Sequence, residues 1–158
     1  MHAMILWHIN DCLTSWTQTS RTTLQSVERL YKQALKTLDK KSNAYHHCNI
    51  LAKYVCLNWE NMMTFADILL AYKIFNGLAP PPLSQFIKQN QNTSTRSSAR
   101  GDCKIPYRKT YFAQSAFSYR AAHTWNSIPI EFRNNTNINN FTKSIKQWLL
   151  DKQTCDHS

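Results

Sequence analysis

The carboxylates are the first test of chemistry in this chain. There are nine of them, and Asp11, Glu28, Asp39, Glu60, Asp67, Asp102, Glu131, Asp151 and Asp156 are scattered with no two adjacent. A polymerase or nuclease centre needs paired carboxylates to bridge two metal ions across a phosphate, and this spacing excludes one. With only Gly77 and Gly101 as glycines, neither a P-loop nor a dinucleotide fingerprint can be built. No G-x-S-x-G elbow surrounds a serine, and no cysteine stands in a recognisable nucleophile context. His123 lies between Ala122 and Thr124 without a carboxylate nearby, which predicts a partly buried packing histidine rather than a general base. No catalytic residue is expected.

Five cysteines, Cys12, Cys48, Cys56, Cys103 and Cys155, form an odd set without a C-x-x-C pair. That excludes a zinc ribbon or redox dithiol and fits a reducing compartment. His46, His47 and Cys48, followed by Cys56, offer four potential ligands. The seven-residue gap is not a knuckle spacing, however, and neighbouring histidines on a helix point in different directions. Neither a metal nor another cofactor is expected. The segment M-H-A-M-I-L-W-H-I-N-D has no basic leader or cleavage pattern of a signal peptide. The longest apolar run, Met62–Phe75, is broken by Asp67 and Lys73 and is too short to span a bilayer. The expectation is an intracellular chain, in cytoplasm or nucleus, with no membrane partner and no small-molecule substrate.

The formal net charge is +10 and it is clustered. Residues 20–54 carry seven cations against Glu28 and Asp39, and residues 88–109 carry Lys88, Arg96, Arg100, Lys104, Arg108 and Lys109 against Asp102. Such clustering suits a polyanion, with nucleic acid ahead of a membrane surface, or else simply forms a solvated basic face. In the second cluster aromatics interleave with the cations. The candidate contact residues are Arg96, Arg100, Lys104, Tyr107, Arg108, Lys109, Tyr111 and Arg120, with Phe112 and Tyr119 among them. Cations neutralise phosphates while rings stack on unpaired bases, so the implied partner is single-stranded RNA or DNA. The same alternation also arises when rings merely face a core.

These residues must be positioned by helices. Leu24, Val27, Tyr31, Ala34 and Leu38 recur at the spacing of one helix face. A second helix is expected from about Tyr45 to Val55, capped by Ser42 or Asn43. A third, Trp59–Asn76, is apolar nearly all round and must be buried on most sides, with Gly77 as its stop and the three prolines 80–82 preventing continuation. A short helix follows from Pro82 to about Lys88. Residues 89–104 read as an exposed, mobile loop, and Ile105–Tyr107 as a short extended piece, because Pro106 pushes Ile105 out of helical space. Ala113, Ala116, Phe117, Ala121 and Trp125 predict one helix from Phe112 to Ile128, and Asn137 caps a last one whose face is Ile138, Phe141, Ile145, Trp148 and Leu149. The fold class is mainly α: a small irregular domain of five to six helices, a basic loop and at most a short strand pair. Four regions are marked out: a poorly defined segment 1–20, helices over 21–88, a basic linker 89–111 and a helical tail 112–152.

Five motifs occur in one order: F-N-G-L-A-P-P-P-L (Phe75–Leu83), T-R-S-S (Thr95–Ser98), R-K-T-Y-F (Arg108–Phe112), W-N-S-I-P (Trp125–Pro129) and F-T-K-S-I-K-Q-W-L (Phe141–Leu149). Over roughly residues 20–150 the chain resembles the C-terminal part, thumb and tail beyond the palm, of the reverse-transcriptase polyprotein of LINE-type (non-LTR) retrotransposons, notably those of fish. The resemblance implies a non-catalytic fragment, a transposon-derived remnant whose role in the parent protein is to hold template RNA or target DNA near the polymerase. A free-standing basic RNA- or DNA-binding module and a helical protein-interaction domain are the alternatives. As a fragment, the chain is expected to leave the apolar faces Leu24–Leu38 and Met62–Phe75 without their original cover.

Overall fold

The computed structural model describes residues 13–40, 42, 45–90 and 96–153. Cys12 and Cys155, the alternative cap Asn43 and the Thr95 of the T-R-S-S motif lie outside the described residues. The fold is mainly helical. Among the described residues there are nine α-helices: α1 (Leu13–Trp16), α2 (Arg21–Leu38), α3 (His47–Tyr54), α4 (Trp59–Phe75), α5 (Arg96–Ala99), α6 (Tyr111–Gln114), α7 (Phe117–Ser127), α8 (Ile130–Arg133) and α9 (Ile138–Asp151), with a 3-10 helix at Pro81–Gln85. Four are single turns, so five helices of two turns or more carry the fold. The strand content among these residues is one antiparallel bridge, Gln89 to Cys103.

The longer helices begin where the sequence supplies a cap. Ser20 accepts from the Thr23 amide to start α2, Asn58 from Asn61 to start α4, and Asn137 from Asn139 and Asn140 to start α9. Each satisfies amides that the first helical turn leaves without a partner. Helix α3 differs: its N-cap is His46, which makes no side-chain cap bond, and it ends at Val55 in the left-handed region at φ 51°. Gly77, at φ +67°, takes the left-handed turn just after α4 that a glycine accepts without steric cost.

Helix α4 is the axis of the molecule. Ile68, Ala71 and Tyr72 are fully enclosed, Trp59 and Met62 are buried, and Met63, Phe65, Leu69, Leu70, Ile74 and Phe75 pack against the same cluster. Its principal neighbour is α7, with α9, α1 and the 3-10 helix also against it. Tyr72 stacks on Phe141 of α9 with centroids 4.1 Å apart, and Phe75 meets Trp125 of α7 edge-on at 4.8 Å. The 62–75 face is therefore covered from within the chain, against expectation: the covering residues come from the C-terminal helices. The helical regions 21–88 and 112–152 share one core. Cover is thinner on α2, where Tyr31 and Leu35 are buried but Leu30 is exposed. Tyr31 donates to the Leu57 carbonyl at 2.8 Å, and burial pushes its hydroxyl well above the ordinary value.

The expected helix from Phe112 to Ile128 is two helices. Ser115 closes α6 and Ala116, in extended conformation, opens α7. At the break the Ser115 hydroxyl donates to the Phe112 carbonyl at 2.7 Å, and the Ser115 carbonyl accepts from Arg120. Arg120 also donates to Asp67 of α4 at 2.9 and 3.2 Å and to the Thr14 carbonyl of α1 at 3.1 Å. Asp67 is buried in the middle of the apolar helix; burial pushes its carboxyl up and the guanidinium pulls it back down. Removing one member of such a pair strands the other charge away from water. Asp67→Ala should therefore destabilise the fold by about 3–5 kcal/mol, read as a shift in chemical-denaturation midpoint, with an exposed control such as Glu131→Ala close to unchanged.

Candidate nucleic-acid interface

The stretch expected to be a mobile loop is anchored at its far end. Asn90 donates to the Asp102 carbonyl and Lys104 to the Lys88 carbonyl, both at 2.9 Å. The amide of Asn126 then clasps Cys103 like a neighbouring strand: its Oδ1 accepts from the Cys103 amide at 2.7 Å, and its Nδ2 donates to the Cys103 carbonyl at 3.0 Å. Asp102 and Cys103 are buried. Arg133, with its side chain 8% exposed, donates to Asp102 at 2.7 Å and to the carbonyls of Ile128, Asn126 and Arg100. The W-N-S-I-P segment thus fastens the basic region to the core. Trp125 and Ile128 fill the interior, Asn126 pins the backbone, and Pro129 leads into α8.

From this anchor the chain runs through residues 104–110 without regular structure. It is caught again at Thr110, whose side chain caps α6, and by Gln114, which donates to the Arg108 carbonyl at 3.1 Å. The strap between is open to water. Tyr107 is 83% exposed, Tyr111 67% and Phe112 79%, and Lys104, Arg108 and Lys109 are exposed beside them. None of these three cations forms an ion pair among the described residues. Lys104 and Arg108 line a shallow groove with Lys88, Phe86, Pro106 and Ser118, and Phe86 is itself exposed. The rings thus stand in water on a segment fixed at both ends.

The eight candidate residues do not act as one set. Lys104, Tyr107, Arg108, Lys109 and Tyr111 share the strap. Arg96 opens α5 and is exposed. Arg100 is exposed but pairs with Asp102 at 3.2 Å. Arg120 is a correction: its guanidinium is spent on Asp67 and two backbone carbonyls inside the fold, so it is a structural residue. Nothing in its local sequence shows this, because Asp67 is 53 positions away. His123 is a second correction, being exposed rather than partly buried, with its ring 5.6 Å from that of Tyr119. Lys88 and Phe86 complete the groove and were not among the candidates. The cation was legible as part of the basic cluster, whereas Phe86 reads as one more apolar residue of a short helix.

No helix of the described residues is long and apolar enough to cross a membrane. Compared with models of known families, with characterised proteins and with solved structures, the chain matches none.

The anchor makes its own prediction. Burial pushes the Cys103 thiol up to about 12, with Arg133 opposing, so almost no reactive thiolate forms at the ordinary thiol pKa of about 8.5. Iodoacetamide at that pH should leave Cys103 unmodified in the folded protein and label it once denaturant is added, as read by peptide mass mapping. Asn126→Ala, which removes the clasp, should raise the native labelling rate.

Proposed function

We propose that this chain is a non-catalytic nucleic-acid-binding segment of the kind found beyond the palm of LINE-type reverse transcriptases, and that the strap 104–112 is its working surface. One observation supports this above the rest: Tyr107, Tyr111 and Phe112 stand in water between cations that have no carboxylate partner among the described residues. Large exposed rings are unfavourable unless they meet a partner, and alternation with positive charge selects a partner that is both anionic and aromatic. Single-stranded RNA or DNA has both properties, with every phosphate available to a cation and every base face available to a ring.

The surface discriminates little between sequences. Stacking accepts any base, and the strap offers lysine and arginine groups suited to phosphates. A duplex, whose bases are already stacked, gives the rings nothing to do. Lys88, Lys104, Arg108 and Lys109 follow the backbone while Tyr107 and Tyr111 take bases, so affinity is modest and strongly dependent on salt. The chain contributes no chemical step in this reading; it holds a strand for a catalytic domain elsewhere.

Fluorescence anisotropy with a labelled oligo(U) or oligo(dT) across a salt series tests this. Three to four phosphate contacts give a log–log slope of about −2 to −3, from about −0.7 per contact on single strands. Replacing Lys88, Lys104, Arg108 and Lys109 by serine should flatten that slope, and Tyr107→Ala should cost about 1–3 kcal/mol of binding at fixed salt. Affinity and slope unchanged in both variants would assign the strap to solubility alone.

A further inference from the structure

A cluster of side chains with coordinating chemistry stands at the start of α3. The imidazoles of His46 and His47 and the thiol of Cys48 bring one ligand atom each to within 4.8 Å of one another, and Cys48 Sγ is 3.9 Å from His47 Nε2. Two consecutive histidines inside a helix point about 100° apart, at 3.6 residues per turn. His46 is not helical: at φ −74°, ψ 127° it is the extended N-cap, and the helix begins at His47. The change of backbone direction between these two residues lays their rings together, with centroids 4.8 Å apart and planes 36° from parallel. It also places Cys48 in the first helical turn, whose outward N–H groups favour an anionic ligand.

We infer that His46, His47 and Cys48 form a binding site for a borderline-soft divalent transition metal, zinc above all. Two imidazoles and one thiolate are a donor set that zinc takes readily, at about 2.0–2.1 Å for nitrogen and 2.3 Å for sulfur. The observed N···S separation needs to close by only a few tenths of an ångström to suit two ligands of one tetrahedral ion. On binding, Cys48 releases its thiol proton to solvent and the metal takes the sulfur lone pair. Three protein donors leave a fourth position. His47 and Cys48 also line a cleft of about 100 Å³ whose wall includes the carboxylates Glu28 and Glu60, giving water or a carboxylate an approach to that position. Lys32 on the same wall is paired with Glu28 at 2.6 Å, which offsets its charge. The site is independent of the strap and of the nucleic-acid reading.

Cobalt(II) reports on it directly, because a thiolate ligand produces an intense sulfur-to-cobalt charge-transfer band. Titrating the full-length reduced protein with cobalt should give that band with one-to-one saturation, and zinc should displace it. Cys48→Ser should abolish the band, whereas Cys56→Ser and Cys103→Ser should keep it. His46→Ala removes a ring that makes no helix-cap bond, so α3 keeps its start. Its cobalt affinity should fall by at least the roughly 10–100-fold lost when even an outer-shell partner is removed. Absence of the thiolate band, its survival in Cys48→Ser, or wild-type affinity in His46→Ala would each overturn the site.

Discussion

A helix that is apolar on every side has to be enclosed by the rest of its own fold, and α4 imposes that constraint on this chain. The other long elements take their places from it: α7 and α9 supply Trp125 and Phe141 against Phe75 and Tyr72, and α1 packs against it with its Thr14 carbonyl held by Arg120. Asp67 is the one charge in the middle of this surface. Its partner Arg120 simultaneously satisfies the carbonyls of Thr14 and Ser115, so a single guanidinium ties α1, α4, α6 and α7 together. An ion pair in such surroundings adds little net stability compared with an apolar pair of the same volume. What it contributes is register, since an unpaired carboxylate at Asp67 forbids alternative slidings of α7 along α4.

A second arginine does the same for the basic segment. Arg133 gathers three carbonyls and the Asp102 carboxylate, and together with Asn126 holds residues 102–103 to the core. The strap that follows is short, fixed at both ends and free of its own hydrogen-bonded ladder. Its rings therefore lose less freedom on meeting a ligand than they would on an unanchored tail, which lowers the entropic cost of binding. Anchorage and exposure are here two consequences of one arrangement.

How much of this the sequence disclosed follows from the range of the forces involved. Helices α2, α4 and α9 were legible because periodicity, the Asn137 cap of α9 and the Gly77 stop of α4 are local signals. The boundaries of α3 shifted because its N-cap is His46, which has no capping oxygen to recognise. The break between α6 and α7 carries neither glycine nor proline; it is set by Arg120 reaching back to Ser115 and across to Asp67, and no local pattern contains that. Alternation of charge and ring marked the strap residues in the sequence, and exposure separates them from Arg120. The convergence of His46 with His47 was missed because both were placed in one helix, where their directions would differ.

The distribution of carboxylates leaves the cations of the strap without an ion-pair partner among the described residues. Among the described residues, the ion pairs engage Glu28, Asp39, Asp67 and Asp102, and their partners are Lys32, Lys53, Arg100, Arg120 and Arg133. Each of these cations is neutralised within a few ångströms and contributes little to the field at a distance. Lys104, Arg108 and Lys109 have no ion-pair partner among the described residues, and Lys88 joins Lys104 and Arg108 on the groove wall. At physiological salt the Debye length is about 8 Å, comparable to the spacing of side chains along the strap. Their potentials overlap there while those of the paired cations cancel. The net charge of the chain thus understates the contrast: the strap carries a local excess of cations set beside exposed rings.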